Sequence, residues 1–229
     1  MKISYVLPVY NAQNTLNQCV HTLINQDEKP HEIIIINDCS TDYTTEVLCS
    51  FSSIYSLRDY GRIRLESNKE RKGAAYCRNY GNSLATGDII AVCDADFYYP
   101  ERSQAIKGFF NLNKEKSIFY SGLDCVSANS PQEQWYMDAI EWDFNSKCPI
   151  SHPTVAYKKC VSDDIKYHED SIETDLYEFF LLDAHRKGYL FGGCQNPLMK
   201  KIEGDTKRNR DFAVELKKKK YKEYGIELS

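Results

Sequence analysis

Gly87-Asp88-Ile89-Ile90-Ala91-Val92-Cys93-Asp94-Ala95-Asp96 decides how the rest of the chain is read. An apolar run from Ile89 to Cys93 stops at two carboxylates with one residue between them. A short, continuous apolar run bounded by Gly87 and followed by Pro100 predicts a strand buried on both faces. Side chains at i and i+2 of an extended chain point the same way, so Asp94 and Asp96 are expected to converge just past the strand. Two carboxylates held that close repel unless a cation lies between them or one is protonated. A hard divalent ion with oxygen ligands suits the place. A solvated Asp-x-Asp turn is the plainer reading, and the surrounding chain has to choose between them.

Working outward from this strand, the pattern alternates. Ile3 to Leu7 reads as a strand ended by Pro8, and Leu16, Cys19, Val20, Leu23 and Ile24 share one helical face. Glu32 to Ile36 is a second buried strand, running into the polar, helix-starting cluster Asn37 to Asp42. Val47, Leu48, Phe51 and Ile54 continue as a helix, Arg62 to Glu66 as a strand, and Ala74 to Ala85 as a helix. Strands alternating with helices predict an α/β fold with a doubly wound, mostly parallel sheet. In such sheets the ligand sits beyond the carboxyl ends of the strands. Those ends carry Pro8-Val9-Tyr10-Asn11, Asn37-Asp38 and Asp94-Ala95-Asp96. No G-x-G-x-x-G follows the first strand and no G-x-x-x-x-G-K-[ST] is present, which disfavours a dinucleotide fold and excludes a P-loop.

Composition narrows the class. With 229 residues, 42% of them hydrophobic, one domain with a real core is expected. A net charge of −4 argues against non-specific nucleic-acid binding. Nine scattered cysteines without a C-x-x-C pair fit reduced thiols in a cytoplasmic setting. Met1-Lys2-Ile3-Ser4 leads straight into a strand, so no signal peptide is expected. The longest aliphatic run, Ile33 to Ile36, is far too short to cross a bilayer.

Four ordered motifs carry a family resemblance. They are Val6-Leu7-Pro8-Val9-Tyr10-Asn11; Ile35 to Asp42; Asn68, Gly73 and Arg78-Asn79-Tyr80-Gly81; and Ala85-Thr86-Gly87-Asp88 leading to Asp94-Ala95-Asp96. Together they make the first hundred residues resemble family-two glycosyltransferases of the GT-A fold. The family usually has Asp where Asn37 stands, and often a further acid where Phe97 stands. The resemblance implies a nucleotide-sugar donor across the strand ends, most often a UDP-sugar. It places Pro8, Tyr10, Asn11, Asp38, Asn68, Gly73, Arg78, Asp94 and Ala95 at that donor. Asp96, with Asp94, would hold Mn²⁺ or Mg²⁺. On this reading residues 1–97 form a nucleotide-sugar-binding half, 98–205 an acceptor and catalytic half, and 206–229 a basic C-terminal helix, all in one domain.

The second half is less bound by motif. Trp135, Tyr136, Trp142 and Phe144 offer an acceptor platform or simply core packing. Ser151 to Lys159 resembles a family segment beside the active site, where His152 would meet the acceptor side or be an ordinary packed His before Pro. Inverting transfer needs a base for the acceptor hydroxyl. By resemblance the base belongs to an acidic pair before a helix. His168-Glu169-Asp170 precedes such a helix and makes Asp170 the first candidate, with Glu169 beside it on the acceptor side; Asp170 with Glu173 also reads as a capping box. Asp175, in Glu173-Thr174-Asp175, is the alternative base. Arg208 to Tyr224 reads as a helix whose Lys217 to Lys220 and Lys222 form a solvated face or weakly touch an anionic membrane carrying lipid-linked acceptors. The expected activity is metal-dependent inverting transfer of a sugar to a glycan or lipid-linked acceptor, as in polysaccharide biosynthesis. A nucleotidyltransferase and a non-catalytic nucleotide-sugar-binding module are the rivals.

Overall fold

The computed structural model describes residues 1–54, 62–124, 144–146, 148–201 and 210–227. The first half alternates as the hydrophobic pattern requires: β1 (Ile3–Val9), α1 (Leu16–Ile24), β2 (Glu32–Asn37), α2 (Thr44–Ile54), β3 (Arg62–Ser67), α3 (Ala74–Leu84) and β4 (Ile89–Val92). There follow β5 (Phe97–Tyr98), α4 (Arg102–Leu112), β6 (Ile118–Asp124), β7 (Ala156–Lys158), α5 (Lys159–Asp164), α6 (Tyr177–Arg186), β8 (Phe191–Lys201) and α7 (Arg210–Glu223).

All eight strands join one sheet in the order β3-β2-β1-β4-β7-β6-β8-β5. The first four in that order are mutually parallel. Each is linked to the next in sequence by a helix, the crossover that parallel neighbours need. β7 then runs antiparallel to β4 and β6, and β5 antiparallel to β8, while β6 and β8 are parallel. The doubly wound parallel half therefore sits inside a mixed sheet.

Alternation along the strands builds a core on each face. Ile3, Tyr5, Leu7 and Val9 of β1, with Ile33 and Ile35 of β2, pack with α1, α2 and α4. Val6, Ile34, Ile36, Ile90 and Val92 pack on the other face with α3, α5 and α6. Each of the four isoleucines Ile33 to Ile36 is at most 1% exposed, so each contributes roughly 1.5–3 kcal/mol of burial. That is why β2 is an unbroken apolar run rather than an alternating one.

Two details place the site. Pro8 does not end β1, which runs on to Val9. Cys93 N donates to Val6 O at 3.1 Å, and β4 ends at Val92. Backbone groups alternate sides along a strand, so the N–H that Pro8 lacks falls where β4 has already left. The ends of β1 and β4 thus part where the strand order reverses, the position at which such sheets take their ligands. The second detail is Gly81. A Cβ there would come 2.4 Å from Val6 Cγ1 and 2.9 Å from Ile36 Cδ1. Glycine in a helix costs about 1 kcal/mol against alanine; here it lets α3 lie close on β1 and β2, which carries Arg78 down to the sheet's edge.

Candidate active site

The rim begins with the loops after β1 and β2. Asn11, at φ 49°, accepts from Thr41 N at 2.8 Å through Oδ1 and donates to Thr41 Oγ1 at 3.2 Å through Nδ2. This ties the two loops together. Asn37 Oδ1 accepts from Ser40 N and its Nδ2 donates to Thr45 Oγ1, both at 3.1 Å. An amide can do both, where a carboxylate would only accept. The cap of α2 falls to Asp42, whose Oδ1 accepts from Thr44 N at 3.0 Å, and not to Asp38.

Asp38 is buried just past β2 and clamps the next loop. Its Oδ1 accepts from Asn68 Nδ2 at 2.7 Å and Lys72 N at 2.8 Å, and its Oδ2 accepts from Gly73 N at 2.7 Å. Gly73 needs to be glycine twice over: φ is 90°, and a Cβ would lie 2.8 Å from Ile172 Cα. The loop 68–73 thus packs on the segment before α6. Arg71 spans the same seam, with its guanidinium 4.2 Å from the Tyr10 ring centre and Nη1 2.6 Å from Glu173 Oε1.

The charged centre is Arg78, only 4% exposed at its side chain. Nη2 donates to Asp94 Oδ1 at 2.7 Å, and Nη1 to Asp175 Oδ2 at 2.6 Å. Burial acts to raise the Asp175 carboxyl, but Arg78, His152 and Lys217 outweigh it and hold it well below the usual carboxylate range. His152 Nδ1 stands 3.4 Å from Asp175 Oδ2 without the alignment of a hydrogen bond. Burial first, then Arg78, pull the His152 ring below its ordinary value, against the opposing effect of Asp175, so it is neutral near pH 7.

Asp94 and Asp96 do not follow the extended-strand expectation. β4 ends at Val92, and Ala95 and Asp96 form a turn. Asp94 continues the alternation toward α3 and meets Arg78. Asp96 is felt instead at α1: the Cys19 thiol is pushed well up by burial, then Cys93, Asp96 and Asp94. Phe97, where the family often has an acid, takes a core place and is 8% exposed. Among the described residues no group of three or more His, Cys, Asp or Glu could hold a metal. The donor set fits an ion that arrives with substrate phosphates, since Mg²⁺-type ions are commonly held by one or two carboxylates plus phosphate oxygens.

Two buried residues absent from the sequence reading hold this loop. Tyr99 Oη accepts from Asp94 N at 2.7 Å and donates to Asp94 O at 3.2 Å. Arg102, 0% exposed, donates from Nη1 to Val92 O at 2.6 Å and from Nη2 to Val155 O at 2.8 Å. The available signal was the position of Arg102 in the first turn of α4, where a cation opposes the helix dipole and so needs another purpose.

The structure separates the two candidate bases. Asp170 is half exposed, pairs with Lys220 of α7, and lies 3.7 Å from His168 Nδ1. It does not cap a helix: α6 starts at Tyr177 with Leu176 at its N-cap position, so the capping box is not formed. Glu169 Oε1 accepts from Asn79 Nδ2 at 2.6 Å. Asp175 alone of these acids joins Arg78 and Asp94. Phe144 stacks on His185 at 3.4 Å between ring centres, on the far end of α6; Trp135, Tyr136 and Trp142 lie outside the described residues. In α7, Lys217 pairs with buried Glu178 at 2.7 Å, so two of the clustered lysines face inward to acids. No helix among the described residues is long and apolar enough to cross a membrane. None of the described cysteines is joined in a disulfide.

Residues 4–152 match the family described as Glycosyl transferase family 2. "Glycosyltransferase GlyG" of Streptococcus pneumoniae is 27% identical over 201 residues, covering 79% of this chain and 65% of GlyG. "UDP-Glc:alpha-D-GlcNAc-diphosphoundecaprenol beta-1,3-glucosyltransferase WfgD" of Escherichia coli is 27% identical over 128 residues, covering 56% of this chain and 48% of WfgD. This chain thus spans about half to two thirds of those relatives. Among solved structures, S. aureus TarS 1–349 in complex with UDP-GlcNAc superposes with TM-score 0.69 at 18% identity, covering 91% of this chain and 60% of that one. The mannosyltransferase PcManGT of Pyrobaculum calidifontis, in complex with GDP-Man and Mn²⁺, gives 0.65 at 19%, covering 91% and 58%. At that identity these two speak for the GT-A fold.

Proposed function

The chain belongs to glycosyl transferase family 2, and on that premise we propose that it transfers a sugar, with inversion, from a nucleoside-diphosphate donor to a hydroxyl of a glycan or lipid-linked acceptor. A UDP-sugar is the favoured donor: TarS binds UDP-GlcNAc and WfgD is named for UDP-Glc. The observation that carries the reading is Arg78, a buried cation holding a strand-end acid, Asp94, and a second-half acid, Asp175, at one point on the rim.

In this reading Pro8, Tyr10 and Asn11 line the β1 side of the donor site. Asp38, with Asn68 and Gly73, shapes the loop that receives the base, and its remaining lone pairs face the nucleotide. A divalent ion held by Asp96, with Asp94, neutralises charge on the departing diphosphate. Asp175, rather than Asp170, takes the acceptor's proton. Held ionised beside Arg78, the Asp175 carboxylate is in the protonation state that a base for the acceptor hydroxyl requires.

The test is a panel of UDP-, GDP- and TDP-sugars with Mn²⁺, read as release of free nucleoside diphosphate, with EDTA as control. UDP release that EDTA abolishes is expected. Pyrophosphate release would instead identify a nucleotidyltransferase. Calorimetric binding of UDP and Mn²⁺ with no product after long incubation would identify a binding module.

A further inference from the structure

β3 stands at one end of the sheet, and among the described residues only β2 pairs with it. An edge strand presents a row of backbone groups that can serve as a template for another strand. Here the phase of that row is fixed by the neighbour. Asn68 N donates to Asn37 O at 2.9 Å, beside the pairing of Asn37 with Ser67. In a parallel ladder alternate residues bond to one neighbour, so Arg64, Glu66 and Asn68 turn their backbone groups toward β2. Ile63, Leu65 and Ser67 turn theirs outward. Leu65 is 37% exposed and Arg64 46% exposed at its side chain, so neither is covered by a helix.

Side chains alternate as well. Arg64 and Glu66 lie on the α3 face, where Arg64 Nε donates to Glu66 Oε1 at 2.8 Å and Tyr80 Oη donates to Glu66 Oε2 at 3.3 Å. Ile63 and Leu65 lie on the other face, with Ile63 against the core. Charges on an edge strand commonly keep other strands away, and that is the plainer reading of Arg64 and Glu66. It holds for the neighbouring registers of a self-pairing. An antiparallel copy about a two-fold axis has to set outward-facing residues opposite outward-facing ones. With Leu65 opposite Ile63, Arg64 of one copy meets Arg64 of the other. With Leu65 opposite Ser67, Glu66 meets Glu66. Like charges directly opposite each other are destabilising. With Leu65 opposite Leu65 the conflict vanishes: Arg64 of each copy meets Glu66 of the other, and Ile63 meets Ser67. Arg64 and Glu66 are then the non-hydrogen-bonded pairs, in which side chains approach most closely.

We propose that β3 is a self-recognition edge, which joins two copies of this chain antiparallel about a two-fold axis at Leu65. Leu65 N–H of each copy donates to Leu65 O of the other, and Ile63 and Ser67 exchange bonds in the same way. On the α3 face Arg64 and Glu66 of the two copies form a ring of alternating charge. On the opposite face the two Leu65 side chains cover each other. The contact is isologous and closed, so it ends at a dimer instead of propagating. One strand pair buries far less than the roughly 1,600 Å² of a standard interface, so the dimer is in concentration-dependent equilibrium with the monomer. None of the residues assigned to donor, metal or acceptor takes part, and the pairing stands whether or not those assignments do.

Sedimentation velocity of the full chain over a concentration series tests this. The wild type should show a monomer–dimer equilibrium that weakens as salt rises, because exposed ion pairs are screened. Leu65→Pro is the sharpest variant. Proline is tolerated where the missing N–H faces outward from an edge strand, so circular dichroism should match wild type while the dimer is lost. Arg64→Glu sets Glu against Glu twice, and Glu66→Arg sets Arg against Arg twice; each should weaken dimerisation about tenfold. Combining Arg64→Glu with Glu66→Arg restores both pairs in the reversed sense and should restore the dimer. A wild type that stays monomeric at its highest soluble concentration overturns the proposal. So does a dimer that Leu65→Pro and the single charge reversals leave intact, or a double variant that associates no better than the single ones. If Leu65→Pro fails to fold, the three charge variants decide the matter alone.

Discussion

The two acids that Arg78 joins come from opposite kinds of sequence. Asp94 follows a buried strand, and its side is set by the alternation that puts Ile90 and Val92 on the α3 face. Asp175 lies in an irregular stretch between α5 and α6, and no period fixes where it points. The strand-end rim is a scaffold feature. The second-half wall is placed by pairing, with Gly73 against Ile172, Arg71 against Glu173, and Arg78 against Asp175. A parallel sheet thus supplies half of a site through topology, and the other half has to be fastened to it by ionic contacts that no local pattern announces.

The comparison can be broken at several points. On the scaffold side, Asp96→Ala should reduce nucleoside diphosphate release at least about 10²-fold, with circular dichroism and thermal midpoint near wild type. Loss of folding would show that Asp96 is structural. Next is the fastening. Arg78→Met leaves Asp94 and Asp175 facing each other without a cation. Removing one partner of a fully buried pair costs about 3–5 kcal/mol. These acids are 20% and 19% exposed at their side chains, so urea midpoints should report the lower end of that range. A loss below about 1 kcal/mol would mean the halves are held by something else.

Acid should loosen the same fastening. The Asp175 carboxyl is depressed in the folded state, so its stabilisation is present above the unfolded value of about 3.9 and is lost as pH falls below it. Thermal midpoints between pH 5 and pH 2 should drop more steeply for the wild type than for Asp175→Asn. Equal slopes would contradict the depressed carboxyl. Gly81→Ala tests how closely α3 must approach the sheet. The helix gain of about 1 kcal/mol should be outweighed by overpacking on Val6 and Ile36, for a net loss of roughly 1–2 kcal/mol in urea unfolding. The smallest effect belongs to Lys220→Ala. Its partner Asp170 is half exposed, and such pairs are worth about 0–1 kcal/mol.

Much of the scaffold was legible in the residues. The helical face of Leu16, Cys19, Val20, Leu23 and Ile24 is buried as its spacing requires, and β2 and β4 lie where the apolar runs are. The fold class followed from the alternation, and the GT-A resemblance from the ordered motifs. Less was legible where direction depends on a turn. The period-two argument for Asp94 and Asp96 stopped with the strand at Val92, and the chain turned before Asp96. The capping box at Asp170 and Glu173 was a correct local pattern in the wrong place, because α6 begins only at Tyr177. Arg102 was invisible, since one of its two acceptors, Val155 O, lies far away in sequence.

The account's central claim is that the acid fastened to Arg78, and not the exposed one eight residues beyond Ser162, completes the site. One assay decides it: nucleoside diphosphate release from the active donor with Mn²⁺, comparing Asp175→Asn and Asp170→Asn at equal folded concentration. The account predicts a loss of about 10³-fold or more for Asp175→Asn and a rate within a few-fold of wild type for Asp170→Asn. The reverse order, or full activity in Asp175→Asn, would contradict it.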